Sequence, residues 1–568
     1  MKKKIGCKIL TVSIALMIIA SGVAAVDTSL GNSALKSNTI IYVPDDYAKI
    51  QVAVNSASTG DTIIVRDGTY YENVKVNKRL TIRSENGSAY TIVKSREPNK
   101  HVLAVTADHV SIKGLTVKDA TEMNRVGMYI HANHCNITDN KAVNNPYGFF
   151  LSDSTKNTLI NNTASGNLGD GIYLDHSDSN TVSNNTVVKS SKRNGIRLWY
   201  SHSNTLRNNI ASNNMSGILL GHSHNNILEK NEVHSNNNDG IRLEYSDNNT
   251  LTNNSAKLNN EDGISLISSN NNIMANNTAS ANNEIGISIY ASGNSTLTNN
   301  MMDGNYYNFG IRGNNIYHIQ SIDASNFVDG KPIYYWVGQQ NREIPEDAGF
   351  VGIVNCVNIT VRDLTLMKNS AGVLLAYSML SRIENVSTSN NIYGIALASS
   401  INNILISNTN SNNGMGISMD ASNSNLLALN TNLNNYEGIV LSSSSYNFLS
   451  MNNISNSYQN GILLKNSLNN IIYLNNFINN PIDVYSLNSI TNWNFISEIT
   501  YTYNETAYTS YMGNYWSDYS IDVRGVYRER DTNGDGIGDQ PHYIFCSFDK
   551  DFYPLTKPFE SYIYRSSR

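Results

Sequence analysis

The chain has 568 residues, a formal net charge of −5, only 15% charged residues and no dense basic segment. This balance excludes an electrostatic nucleic-acid binder; Asn, Ser and Thr carry the polar surface instead. No long apolar segment follows the N-terminus, so a span beyond the leader is not expected.

Residues 1–25 read as a secretory signal: Lys2, Lys3 and Lys4, an apolar run from Ile9 to Ala20, then small residues from Ser21 to Ala25. The run is shorter than the ~20 residues a membrane span needs. Cleavage after Ala25 removes Cys7 and leaves Cys135, Cys356 and Cys546, too scattered for a disulfide framework. Cys135 and Cys356 sit beside Asn-Ile-Thr stretches and are expected in the core.

Residues 26–125 differ in texture and are expected to cap a longer structure and supply its first coils. Tyr47, Ile50, Val54 and Ala57 recur at helical spacing behind Asp45 and Asp46, which predicts a short helix over Ala48–Ser56. Strand-like runs follow at Thr62–Val65, Asn73–Val76 and Leu80–Arg83. A helix laid over an open coil end covers exposed core and strand edges.

From residue 126 a glycine followed by alternating apolar residues recurs. Block 1 (126–315) carries it at Gly127, Gly148, Gly171, Gly195, Gly217, Gly240, Gly263, Gly286 and Gly310. Block 2 (371–490) carries it at Gly372, Gly394, Gly416, Gly438 and Gly461. Spacings run from 21 to 24 residues, with one gap of 62. A period this short indicates a solenoid. The unit from Gly171 breaks into three short strand-like pieces separated by Ser, Asn and Asp, none long enough for a helix. Asn pairs suit corners, where Asn tolerates left-handed backbone, and can stack into amide ladders between coils. The predicted fold is all-β: a parallel β-helix with an N-terminal helix cap and a C-terminal cap.

Residues 316–370, rich in Pro and aromatics up to Phe350, are expected to be an irregular coil with a side loop, or a loop completing a binding face, with strand texture resuming from Val351. Residues 491–568 are expected to close the last coil through Trp516, Tyr519 and Leu555. This region also contains Asp531-Thr-Asn533-Gly-Asp535-Gly-Ile537-Gly-Asp539, oxygen donors at calcium-loop spacing; position 12 is His542 rather than the Glu of an EF-hand. Asp531, Asn533, Asp535, Ile537 and Asp539 are therefore the candidate calcium ligands.

Together, the N-terminal stretch from Asp45 to Ile82, the glycine units with Asn pairs, the segment from Val328 to Val361 and the close from Gly513 to Asp539 resemble the NosD type of parallel β-helix repeat protein. The resemblance implies a single-stranded right-handed β-helix of the pectin-lyase-like group, in the style of archaeal surface proteins. It also implies a secreted, periplasmic or cell-surface location, and either carbohydrate binding or a copper-binding accessory role.

The register assigns the outward positions. Tyr129, Tyr173, Arg197, Trp199, Tyr200, Arg242, Glu244 and Tyr245 are expected to form one face of block 1, whereas the same positions of block 2 are bland. Rings interleaved with charges suit an elongated polysaccharide, and Arg197 and Arg242 favour an acidic one. Three alternatives stay open. Asp175, His176, Asp178 and Arg197 could supply the base and carboxylate clamp of a polysaccharide lyase or epimerase, although the Asp-Pro-His-Asp motif of alginate epimerases is missing. His176, His202, His222 and His224 could hold copper. The solenoid could instead be a structural surface-layer component making lateral contacts.

Overall fold

An alternating strand buries one face only when another layer covers it, and three short strands per coil do this by closing around a common core. The computed structural model, which describes residues 39–190, 192–313, 315–519 and 531–564, repeats that solution along the chain. The expected signal segment lies outside the described residues.

In the coil beginning at Gly171 the strands are Ile172–Asp175, Thr181–Ser183 and Thr186–Val188. Ile172, Leu174, Val182 and Val187 are wholly buried, as the predicted alternation requires. Each strand pairs in parallel with its counterpart one coil on: Ile172 with Ile196, Tyr173 with Arg197, Asp175 with Trp199. One resulting stack has 13 strands, from Ile40–Val43 to Ser321–Ile322. The glycine-bearing stack of block 1 has 11, ending at Tyr307–Arg312.

The repeated glycines are required by space, not by an unusual backbone. A Cβ on Gly195 would lie 2.6 Å from the carbonyl oxygen of Gly217 and 2.7 Å from Asn214 Nδ2, closer than real Cβ contacts. The corners supply the left-handed conformation, and there the Asn pairs divide the work. The first Asn takes positive φ (Asn161, Asn184, Asn208, Asn253) and the second is buried (Asn162, Asn185, Asn209, Asn254). In the ladder the Asn185 N–H and Nδ2 both donate to Asn209 Oδ1, each at 3.0 Å, while Asn185 Nδ2 also reaches the Leu159 carbonyl. These contacts satisfy corner groups that would otherwise be buried without partners.

The N-terminal helix spans Ile50–Ser56 and buries Ile50, Ala53 and Val54. Its start is capped from the neighbouring coil: the Glu72 carboxylate accepts the N–H groups of Ile50 and Gln51 at 2.9 and 3.0 Å. Asp46 instead accepts the Tyr42 N–H. At the other end, Phe477 and Trp516 stack 4.3 Å apart and Trp493 packs beside them, closing the last coil. Cys135 and Cys356 are buried free thiols, and Cys546 is exposed.

The segment expected to be irregular carries regular strands already from Lys331, ahead of Val351 where strand texture is expected to resume, which corrects that expectation. It includes Lys331–Val337, Gln340–Glu343, Phe350–Val354 and Val357–Arg362, so the coils of block 2 begin before Gly372. The repeat pattern fades here because the outer faces of these strands are covered. Tyr335, 5% exposed, donates its hydroxyl to the His318 carbonyl at 2.6 Å, and Phe350 meets Phe309 edge-on at 5.1 Å. Leu374, also on the outer face, belongs to the same apolar cluster as the core of block 1. The first strands of block 2 thus lie with their outer face against the end of block 1. A coaxial continuation would leave that face to solvent.

Candidate functional site

Two outward columns run across the glycine-bearing sheet of block 1. One contains Phe150, Tyr173, Arg197, Leu219 and Arg242; the other contains Asp175, Trp199, Gly221 and Glu244. The Arg197 guanidinium lies over the rings of Tyr173 (5.0 Å) and Trp199 (4.6 Å), an arrangement that holds a cation without surrounding it with carboxylates. Its nearest acid is Asp170, at 3.8 Å and wholly buried. Burial raises the Asp170 carboxyl above its ordinary pKa, and Arg197 opposes this. Trp199 settles over Gly221, where a Cβ would come within 2.2 Å of the ring. Arg242 is matched locally, with Glu244 at 2.6 Å and Asp239 at 2.9 Å.

These groups border a cleft of 350 Å³ whose lining includes Arg193, Arg197, Trp199, Leu219, Arg242 and Glu244. Four of the predicted ligand-binding residues, Arg197, Trp199, Arg242 and Glu244, therefore come together, with Tyr173 alongside. Arg193 was missed by the register because it belongs to the turn before the glycine. It is exposed and forms no ion pair among the described residues.

The remaining predicted residues lie elsewhere. Tyr129 stacks on His101 at 4.5 Å. Tyr200 and Tyr245 occupy corner positions of positive φ and build a ring ladder, His176–Tyr200–His222–Tyr245, with spacings of 5.2, 4.8 and 5.0 Å. Within this ladder the inner rings cover one another's faces, leaving mainly edges for a ligand.

The catalytic candidates divide similarly. His176 Nδ1 lies 3.1 Å from Asp175 Oδ1, but Asp178 accepts the His202 N–H at 2.6 Å and is engaged in the turn. The histidines do not converge: His202 Nδ1 accepts the His224 N–H, and His224 Nδ1 accepts the Asp247 N–H. In each neutral ring the proton then sits on Nε2, removing the lone pair a metal needs. Among the described residues no group of three or more His, Cys, Asp or Glu is placed to hold a metal ion. In the C-terminal loop, Asp531 accepts the N–H groups of Asp535 and Gly536, and Asp535 accepts that of Ile537. Asp539 accepts the Thr532 N–H, and Asn533 that of Asp535.

A second cleft of 230 Å³ shares Arg242 and adds Asp239, Glu261, Asp262, Glu284 and Arg312. The Asp262 carboxyl is pushed up to about 7, by burial first and by Asp239 next. The sequence signal for this column was an acidic residue directly before a glycine, at Asp170, Asp239 and Asp262.

A family model described as periplasmic copper-binding protein (NosD) matches residues 54–193, 189–336 and 332–521. A cell surface glycoprotein of Methanothermus fervidus is 37% identical over 101 residues, which are 17% of this chain and 16% of that protein. The matched stretch is thus a small part of that relative. Among solved structures, the mannuronan C-5 epimerase AlgE6 A-module of Azotobacter vinelandii is 16% identical, with 62% of this chain and 93% of that one covered and a TM-score of 0.40. For pectate lyase Pel9A the values are 16%, 52%, 78% and 0.29.

Proposed function

Because the chain belongs to the NosD family, we propose that it is an extracytoplasmic β-helix protein that binds acidic glycans in the cleft between Arg193 and Arg242. The family's periplasmic description and the surface-glycoprotein match both support a place outside the cytoplasm. No helix among the described residues is long and apolar enough to cross a membrane. The observation carrying the glycan reading is a pair of incompletely neutralised arginines, Arg193 and Arg197, beside the Trp199 ring. A uronate or sulfate group would take charge-assisted bonds from the guanidiniums while its ring packs on the indole. In a titration of the full chain with oligo-uronates, Arg193→Ala/Arg197→Ala is expected to weaken binding about tenfold or more. Equal affinity in wild type and variant would refute this site.

The copper binding that the family description implies finds no fitting donor set in the four histidines: His202 and His224 each accept a backbone N–H through Nδ1, His176 Nδ1 faces Asp175, and His222 is stacked between Tyr200 and Tyr245. Calcium is a separate proposal for Asp531, Asn533, Asp535, Ile537 and Asp539. What supports it is oxygen spacing around a loop that the cap already holds, with Tyr501 donating to the Asp535 carbonyl at 2.9 Å. Calcium in excess is expected to raise the melting temperature of the C-terminal cap by several degrees, reversibly with chelator. Identical melting under both conditions would discard the proposal.

A further inference from the structure

Where the blocks meet, the Asn308 N–H donates to the Lys368 carbonyl at 2.6 Å and the Ser370 N–H to the Phe309 carbonyl at 2.8 Å. The change of direction there leaves a re-entrant groove of 920 Å³, bounded by corners of the last coils of block 1 and the early and middle coils of block 2. We infer that this groove is a second glycan site, for a neutral oligosaccharide chain.

The floor carries the first indication. Lys368, Asn390, Asn412 and Asn434 occupy the same corner position in successive coils, with φ of 55, 54, 56 and 54°. Their neighbours Asn391, Asn413 and Asn435 are buried in a ladder. The side-chain amides of Asn390, Asn412 and Asn434 have no hydrogen-bond partner among the described residues. Some exposed amides elsewhere bond across coils, as Asn294 does to Asn271 and Asn385 to Asp363, while others, such as Asn184 and Asn208, stand open as these do. A row of open amides about 4.8 Å apart, each offering two donors and an acceptor, suits successive hydroxyl pairs of a sugar chain.

The walls supply the second. Tyr306, Tyr436 and Tyr458 are 66, 56 and 71% exposed. Tyr436 and Tyr458 stack on no other ring among the described residues, so their faces are open, unlike those within the ladder of block 1. Gly414 takes the position that Tyr436 and Tyr458 hold in later coils, and its missing side chain widens the groove. Lys368 is the one charged residue in the lining. Open phenol faces, amides and little charge select uncharged pyranoses rather than uronates.

The site is independent of the arginine cleft, and one experiment separates them. The full chain is titrated with neutral gluco-, manno- and galacto-hexaoses and with an oligo-uronate, comparing wild type, Tyr436→Ala/Tyr458→Ala, Asn412→Ala and Arg193→Ala/Arg197→Ala. At least one neutral hexaose is expected to bind, insensitive to added salt and unchanged in the arginine variant. The tyrosine variant should lose about tenfold or more, with unaltered melting, and Asn412→Ala should weaken binding as well. Absence of binding by all three hexaoses, or full affinity in both groove variants, would overturn the inference. Failure of the wild type to bind the oligo-uronate, or equal oligo-uronate affinity in the arginine variant, would count against the arginine cleft and leave the groove standing.

Discussion

Asn209→Asp is expected to unravel the middle of block 1, whereas Asn208→Gly, one residue earlier, should be nearly neutral. Asn208 is exposed with φ of 53°, a conformation glycine adopts freely. Asn209 is wholly buried; its Nδ2 donates to the Val182 carbonyl and to Asn231 Oδ1, each at 2.9 Å. Aspartate would turn those donors into acceptors facing acceptors and would bring a charge into the core. Each lost bond to a buried group costs about 1–3 kcal/mol, and an unpaired buried charge costs more. The difference is read as denaturant midpoint and as protease cutting within residues 185–231. Similar midpoints for the two variants would mean that the amide ladder does not hold the coils together.

The C-terminal cap is expected to gain stability on acidification through Asp551. This carboxylate is wholly buried and accepts N–H groups from Asn514, Trp516 Nε1 and Tyr553 at 2.7, 3.0 and 3.0 Å. Burial outweighs those donors and pushes its pKa up to about 6. A folded-state value above the unfolded one means that the contribution is complete below the unfolded pKa of about 3.9 and is lost as pH rises through about 6. The two-unit shift corresponds to roughly 3 kcal/mol. Half-buried His101, held down to about 4 by desolvation, titrates in the opposite sense, so the effect is isolated by comparison with Asp551→Asn. The stability difference between wild type and variant, followed by tryptophan fluorescence of the cap, should shift in favour of wild type between about pH 7 and about pH 4. A difference independent of pH would show that Asp551 is ionised throughout.

Much of the coil geometry was legible because one residue, the glycine, marks the tightest contact between coils and thereby sets the register. Tyr173, Arg197 and Trp199 could be placed on one face from that mark alone. What the mark does not set is the direction of side chains at the corners, so Tyr200, His222 and Tyr245 were legible as outward but not as rings occupied by one another. Arg193 lies in a turn whose path depends on the next coil. The bend between blocks was hidden for a similar reason: Tyr335 and Leu374 look like unremarked outer positions until the end of block 1 is found against them. That bend makes the groove, into which block 2, bland in its sheet, presents exposed tyrosines from its corners.

The most direct test of glycan binding in the arginine cleft is a crystal structure of the full chain soaked with an oligo-uronate. The expected result is a sugar carboxylate within hydrogen-bond distance of Arg193 or Arg197, with its ring against Trp199. A uronate bound elsewhere while this cleft remains free would contradict the account.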